Sequence, residues 1–534
     1  MTHPQARSAD VALLLEGTYP FVAGGVSSWV HTLLHGFPDL RFALVFIGAR
    51  PQDYGPMRYE LPPNVVHLEA HYLFEAEAAP PRRTTGIDAQ AFERVRRLHA
   101  RWRTPQGPGR EDASDAFGAV ADDLGSLLTA EHFLRGDRAW EFITEQYLAH
   151  CSDPSFVDYF WTVRTMHAPI WKLARIAAAM LPVRAFHTVS TGYAGLLGTL
   201  CQRRWKRPLL LSEHGIYTKE RRIDLFSAQW IADNRSALQR DPTELSYFRD
   251  LWIRFFEGIG RACYDASDQI IALYEANRLR QVADGAQPAR TRNIANGISI
   301  PTFGPLRQQR PPAVPPVLCL IGRVVPIKDV KNFVRAMRSV VNTLPQAQGW
   351  IAGPEDEDAA YAAECHALVH SLGLGAQVKF LGFQKLTELL PQIGLVVLSS
   401  ISEALPLVLL EGFAAGVPAV STDVGSCRQL IEGLPGDDAA LGRAGRVVGI
   451  ADPKALADAA CELLADPQAW HAAAESGARR VAAYYSLETM LGRYREVYER
   501  ALAPAEPPAS PAPAKAGGCP FGRSAASIQQ EGRI

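Results

Sequence analysis

Two glutamates, Glu403 and Glu411, are separated by seven intervening residues in the segment SISEALPLVLLEGFAAGVPAVSTDVGS. The apolar run LVVLSS just before them reads as a buried strand ending near Ser400, so Glu403 falls in the loop at the carboxyl end of that strand, where open α/β sheets bind ligands. A helix expected from about Leu405 turns its free N–H groups and positive dipole end into the same crevice, a seat for a diphosphate. Glu403 is expected to cap this helix and Glu411 to ride it, two turns down, where it can face a ribose diol. A carboxylate suits that task because its two oxygens accept from both hydroxyls through charge-assisted bonds. The bland alternative is a capping glutamate and a solvated one, since this spacing alone is common.

A second cluster, GRVVPIKD, has Gly322 at the end of strand VLCLIG, with Arg323 and Lys328 in the following loop. Two cations at the carboxyl end of a strand suit an anion. Arg can grip phosphate oxygens bidentately and Lys can act as a mobile point charge, together offsetting the charge on a departing nucleoside diphosphate. A basic surface turn is the competing reading. Near the N-terminus, EGTYPFVAGGVSSWVHTLL sets Gly24 and Gly25 between a strand and an amphipathic helix, either to let backbone approach a ligand or simply to turn. Neither a G-x-G-x-x-G fingerprint nor a GxxxxGK[ST] loop occurs. The run LLLSEHGIYTKER puts Glu213 and His214 at another strand end, where His214 either donates to a sugar hydroxyl or phosphate or is structural.

The elements that must position these residues follow from composition and pattern. With 534 residues, 47% hydrophobic and 21% charged, the chain needs more than one core. Lys and Arg number 55 against 56 Asp and Glu, so no global field holds a nucleic acid. VALLLEG is too short for a signal h-region or a membrane span, and the expectation is a soluble, cytoplasmic protein. Eight cysteines without a CxxC pair or zinc-like spacing read as free thiols, Cys263 and Cys319 as core packing. Strands VALLLE, FALVFI, AFHTVS, PLLLSEH and QIIALY, alternating with helices, predict a Rossmann-like domain over residues 1–302, with insertions at about 75–135 and 219–250. Residues 303–316, crowded with Pro, predict an extended linker. VLCLIGR, GWIAG, VKFLG, LVVLSS and PAVST predict a second doubly wound domain over 317–484. A closing helix at 485–502 is expected to pack back across the domain interface, followed by a disordered tail at 503–534.

In this order, GGVSSWV, SEHGIY, IANGIS, GRVVPIKD, FLGF and SEALPLVLLEGFAAGVPAVSTDVGS resemble glycosyltransferase family 4 over roughly residues 10 to 500. The resemblance implies a GT-B fold with an interdomain crevice and retention of anomeric configuration. It also implies a UDP-sugar donor, glucose-like or N-acetylated, a growing glycan as acceptor and no metal or other cofactor. By the same resemblance Arg323 and Lys328 hold the diphosphate, Glu411 the ribose and Glu403 the sugar hydroxyls, with Gly322, Ala404 and Leu405 beside them. Gly24 and Gly25 close over the phosphates, and His214 matches the family's crevice histidine approximately. Ala404, Leu405 and Pro406 stand where the family more often has Phe-Gly. Phe383, after VKFLG, sits where such folds lay the base, although a core aromatic is the alternative. More narrowly, LLEGTYPFVAGGVSSWVH and SEHGIYTKERRIDL are similar to the branch that builds Pel-type exopolysaccharide, which implies inner-membrane synthase partners; the Arg-rich stretch 82–110 either docks there or is a solvated helical insertion whose nearby Asp and Glu balance its charge. A nucleotide-sugar epimerase and a non-catalytic UDP-sugar-binding scaffold are the competing classes.

Overall fold

Short apolar runs, too brief for a helical period, become strands buried on both faces, as parallel sheets require. The computed structural model describes residues 4–75, 136–236 and 245–503, together with 92, 93, 96, 97, 99, 100, 133 and 134. Its first sheet holds β1 (Val11–Glu16), β2 (Phe42–Gly48), β3 (Val65–Tyr72), β4 (Ala185–Thr188), β5 (Leu209–Glu213), β6 (Gln269–Ala272) and β7 (Thr291–Asn293). The second holds β8 (Val317–Ile321), β9 (Gln348–Ala352), β10 (Val378–Gly382), β11 (Leu395–Leu398), β12 (Ala419–Thr422) and β13 (Gly445–Val448). Their orders are β3-β2-β1-β4-β5-β6-β7 and β10-β9-β8-β11-β12-β13. Every pairing is parallel. The direction of winding therefore reverses between β1 and β4 in one sheet and between β8 and β11 in the other. Those switch points leave crevices at the carboxyl edge.

The strands expected from sequence form, and three more join them: β3, β7 and β13. VVHLEAHY in β3 mixes His and Glu among its apolar residues because it lies at the sheet edge, half-buried beyond Leu68. The helices used below are α1 (Gly25–Gly36), α2 (Phe156–Ala179), α3 (Tyr193–Trp205), α4 (Tyr217–Ser227), α5 (Tyr247–Ala266), α6 (Val330–Thr343), α7 (Leu407–Ala414), α8 (Cys427–Glu432) and α9 (Leu487–Leu502). The 303–316 segment differs from expectation. A helical turn at Ile300–Phe303 and a 3₁₀ turn at Gly304–Gln309 precede any extended backbone. Pro301 and Pro305 stand at the first turns of these helices, where a missing N–H breaks no intrahelical bond. Most of the 75–135 insertion, with the Arg-rich 82–110 stretch, lies outside the described residues, as do 237–244 and the tail from 504. No described helix is long and apolar enough to cross a membrane.

Helix α9 does cross to the first sheet. Ser486 caps it, accepting from Thr489 N at 3.0 Å, and Ile298 bridges to Ser486 in parallel. Met490, Tyr494, Val497 and Tyr498 are buried in one cluster with Leu13, Trp29, Phe37 and Phe42. The contact is keyed by a buried polar chain: His187 Nδ1 lies 2.8 Å from Tyr498 Oη, His187 Nε2 lies 2.9 Å from Ser212 Oγ, and Ser212 Oγ lies 2.9 Å from Tyr494 Oη. Burial, with a smaller contribution from His214, pushes His187 down to about 3, so it is neutral at pH 7 and can donate from one nitrogen while accepting at the other. Ser212→Ala should strand His187 Nε2 and Tyr494 Oη together. We expect a loss of about 1–3 kcal/mol, read as a lower urea midpoint; an unchanged midpoint would show that the chain carries no stability.

Candidate active site

At the β8/β11 switch point the loops are held by backbone and hydroxyl bonds. Gly322 N donates to Ala352 O at 2.9 Å and Val324 N to Pro354 O at 2.9 Å, which pins the loop leaving β8. A 3₁₀ turn, Pro326–Lys328, leads to Asp329, which takes the left-handed conformation (φ 43) that Asp tolerates better than most residues and accepts from Asn332 N to start α6. Ser399, just beyond β11, donates to the carbonyls of Lys328 and Asp329 at 2.9 and 3.0 Å. The two loops are thereby joined. Lys328 Nζ lies 2.5 Å from Glu403 Oε1, which also accepts from Ser400 Oγ at 2.6 Å.

Glu403 is positioned from the far side by Gly425, in the loop after β12. A Cβ there would sit 2.2 Å from Glu403 O and 2.6 Å from Ala404 O, and its φ of +54° is one that side chains disfavour. Next to it, Ser426 N donates to Ala404 O at 2.9 Å. Helix α7 begins at Leu407 with Pro406 as its N-cap and no side-chain cap. This corrects two expectations: the helix starts two residues later, and Glu403 does not cap it. The carboxylate turns instead to the nearby ammonium and hydroxyl, leaving the first N–H groups of α7 without a side-chain partner. Leu405 is buried in the apolar core of this half, so its side chain packs, while Ala404 is half-buried.

Glu411 lies one turn into α7. Burial pushes its carboxyl up to about 7, and among the described residues it makes no hydrogen bond or ion pair; in the ionised form both oxygens can accept. Arg323 is not brought to Glu403. It turns outward to Glu357 at 2.5 Å, with both side chains about half exposed, an ion pair worth about 0–1 kcal/mol and readily exchanged for another anion. Phe383 is 81% exposed, which overturns the core reading. It follows edge strand β10, with β9 between that strand and β8.

On the facing sheet, Gly24 and Gly25 are exposed, and a Cβ at either would meet nothing within 4 Å. Gly24 is the residue before α1, with extended backbone. His214 is buried edge-on against Trp29, ring centroids 4.5 Å apart, and burial pushes it down to about 4, so it is neutral at pH 7. Its Nε2 has no partner among the described residues. Glu213 does not face the crevice. It is buried among four donors: Thr191 Oγ1, Tyr217 N, Tyr264 Oη and Gln281 Nε2. Sequence reasoning missed Glu16, the last residue of β1, which accepts from Tyr217 Oη at 3.0 Å and from Ala194 N, at the start of α3, at 3.1 Å. A carboxylate closing the first strand at its ligand-binding edge was the available signal. Tyr274, just after β6, is buried in the apolar core of the second half.

Residues 315–466 match the family model described as Glycosyl transferases group 1, and residues 9–289, over half of the chain, match that described as Domain of unknown function (DUF3492). The chain belongs to the DUF3492 family, and its residues 315–466 form a group 1 glycosyltransferase domain. Among curated relatives, D-inositol 3-phosphate glycosyltransferase 2 of Catenulispora acidiphila is 26% identical over 58% of this chain and 69% of its own length. The alpha-D-kanosaminyltransferase of Streptomyces kanamyceticus is 31% identical over 34% of this chain and 46% of its own. Among solved structures, Anabaena Alr3699/HepE in complex with UDP and glucose aligns with a TM-score of 0.53 at 15% identity, over 92% of this chain and 99% of that one. Sucrose-phosphate synthase of Thermosynechococcus elongatus aligns at 0.54 and 18%, over 92% and 98%. The fold of this glycosyltransferase is GT-B.

Glu411 binds its proton more tightly in the folded glycosyltransferase than in the unfolded chain. Between the ordinary carboxylate range and about 7, the folded state therefore holds more protons, and stability falls as pH rises through that window. Glu411→Gln should remove this loss, gaining up to about 3 kcal/mol over the native protein at pH 8 but little at pH 4. Melting curves at the two pH values check it; the same difference at both would mean that Glu411 titrates normally.

Proposed function

We propose that this chain is a retaining glycosyltransferase that moves a hexose or N-acetylhexosamine from a UDP-sugar onto a growing exopolysaccharide glycan, without a metal ion. The observation that carries the reading is the Lys328–Glu403 pair beside a helix N-terminus without a side-chain cap, at the switch point of the second sheet. An arriving diphosphate would take Lys328 from Glu403 and draw Arg323 from its exposed partner Glu357. The N–H groups of α7 would add fixed positive potential. Glu403, released, would face the sugar hydroxyls, and Glu411 has open acceptor capacity for a ribose diol. On such a site the leaving diphosphate would accept the acceptor's proton on the same face, with Lys328, Arg323 and the helix stabilising the negative charge.

UDP is favoured as the nucleotide by the resemblance and by the Anabaena fold relative, which was crystallised with UDP and glucose. The narrower motif resemblance, SEHGIYTKERRIDL above all, supports a role like that of PelF, the cytoplasmic glycosyltransferase of the Pel system, beside inner-membrane synthase proteins.

Calorimetric titration with UDP, GDP and ADP in EDTA tests the donor site. Selective UDP binding is expected, weakened in Lys328→Ala and Glu411→Ala. Lys328→Ala should lose about 100- to 1,000-fold in turnover, as when one preorganised oxyanion donor is removed, with its melting temperature nearly kept. Near-native turnover in the folded variant would refute the assignment of Lys328.

A further inference from the structure

A cavity of about 440 Å³ lies in the second half, walled by residues of the interdomain segment, by Gly416 just after α7 and by the helix Pro467–Tyr484. Trp470 of that helix donates from Nε1 to Gly394 O at 2.8 Å, and Gly394 N donates to Val317 O at 2.8 Å. Those bonds place the cavity at the amino ends of β8 and β11, the opposite edge of the sheet from Lys328 and Glu403. The four residues of β11, at ~3.3 Å each, set the two edges roughly 13 Å apart. Neither Lys328 nor Glu403 lines the cavity, and nor do Arg323 and Glu411. Its volume falls within the range of about 300–1,000 Å³ typical of small-ligand sites.

The cavity is built around a fixed cation. Arg310 donates from Nη1 to Leu390 O at 2.9 Å and from Nη2 to Ile393 O at 2.7 Å, and its guanidinium lies over the Trp470 ring, 5.1 Å from the centroid. Those two bonds leave N–H groups of the guanidinium for another partner. Burial pushes it down to about 10, and no carboxylate among the described residues pairs with it. A cation partly withdrawn from water without a counter-charge is costly to hold, and an arriving anion offsets that cost.

Arg307 brings a second guanidinium. A Cβ on Gly416, whose φ is +72°, would come 3.1 Å from Arg307 Cγ, so the bare backbone after α7 makes room for the arginine stem. Its partner Glu475 lies 2.5 Å away with both side chains about half exposed, a weak pair that another anion can replace. Exposed His471 adds an imidazole. Against these groups the described lining has one carboxylate, Glu475, so its charge favours an anion. Guanidiniums grip phosphate oxygens bidentately through charge-assisted bonds. Pro311, Pro312 and Val314 supply an apolar wall, and the volume is larger than an inorganic ion fills.

We propose that this cavity binds a small phosphate monoester, its phosphate between Arg307 and Arg310 and its organic body against the proline wall. The site is separate from the proposed donor site and does not rest on that reading.

Glucose 6-phosphate, inorganic phosphate and glucose are titrated calorimetrically into the full chain and into Lys328→Ala, Arg307→Ala and Glu475→Gln. Arg310 is left intact, because its removal would strand the carbonyls of Leu390 and Ile393. Glucose 6-phosphate should bind Lys328→Ala as tightly as the native chain, more tightly than inorganic phosphate does, and more weakly as salt is raised. Glucose should not bind. Arg307→Ala should weaken glucose 6-phosphate about tenfold while nearly keeping the melting temperature. Glu475→Gln should tighten it about threefold, because the carboxylate that competes for Arg307 and repels the phosphate is gone. An arginine that only braces the interdomain segment would give no such gain. Binding lost in Lys328→Ala but native in Arg307→Ala would put the anion at the other edge and overturn the proposal. Absence of glucose 6-phosphate binding, glucose or inorganic phosphate binding at least as tightly, or no gain in Glu475→Gln would overturn it as well.

Discussion

The ion pair between Lys328 and Glu403 joins residues 75 positions apart in sequence, and it exists because β8 and β11 are neighbours in a parallel sheet. Parallel pairing sends both strands out at the same edge, so the loops leaving them meet. The reversal of winding between them opens the gap in which a ligand can sit. Ser399 and Gly425 then remove slack: one hydroxyl ties the lysine loop to the end of β11, and one missing Cβ lets the β12 loop touch the glutamate backbone. The cation, the carboxylate and the helix N-terminus thus lie on one rigid edge.

The charges at that edge are poised for exchange. Each cation already has a carboxylate partner, which limits the cost of holding a positive site without substrate. The pairs differ in character: Lys328–Glu403 is largely withdrawn from water, while Arg323–Glu357 is about half exposed and correspondingly weak. Glu411 supplies the opposite asymmetry, a carboxyl without a partner among the described residues, whose burial favours its neutral form.

The first sheet repeats the geometry with different chemistry. Its switch point lies between β1 and β4, and its edge carries aromatic rings and balanced charges. Glu16 braces α3 and Tyr217, and the neutral His187–Ser212–Tyr494 chain keys α9 into the same half. Because α9 follows the second half in sequence yet packs on the first, the two crevices are held in register by one helix and by contacts such as Glu275 N to Gln429 Oε1 at 3.2 Å.

Much of the architecture was legible without coordinates, because buried parallel strands are written as short apolar runs and the helices between them carry a distinct period. The shared edge of the candidate residues was legible too, since Arg323, Lys328, Glu403 and Glu411 follow strands whose carboxyl ends lie on one side of the sheet. What the sequence could not show was which way each side chain faces. Glu213 and His214 are adjacent, but only the packing of α4 and α5 sends Glu213 into four donors and leaves His214 against Trp29. Likewise Glu403 prefers an ammonium to a helix terminus, and Phe383 stands in solvent rather than in the core, because both outcomes depend on neighbours far away in the chain. Strand identity is a local property of residue pattern, whereas side-chain partnership is a property of distances that only the closed sheets create.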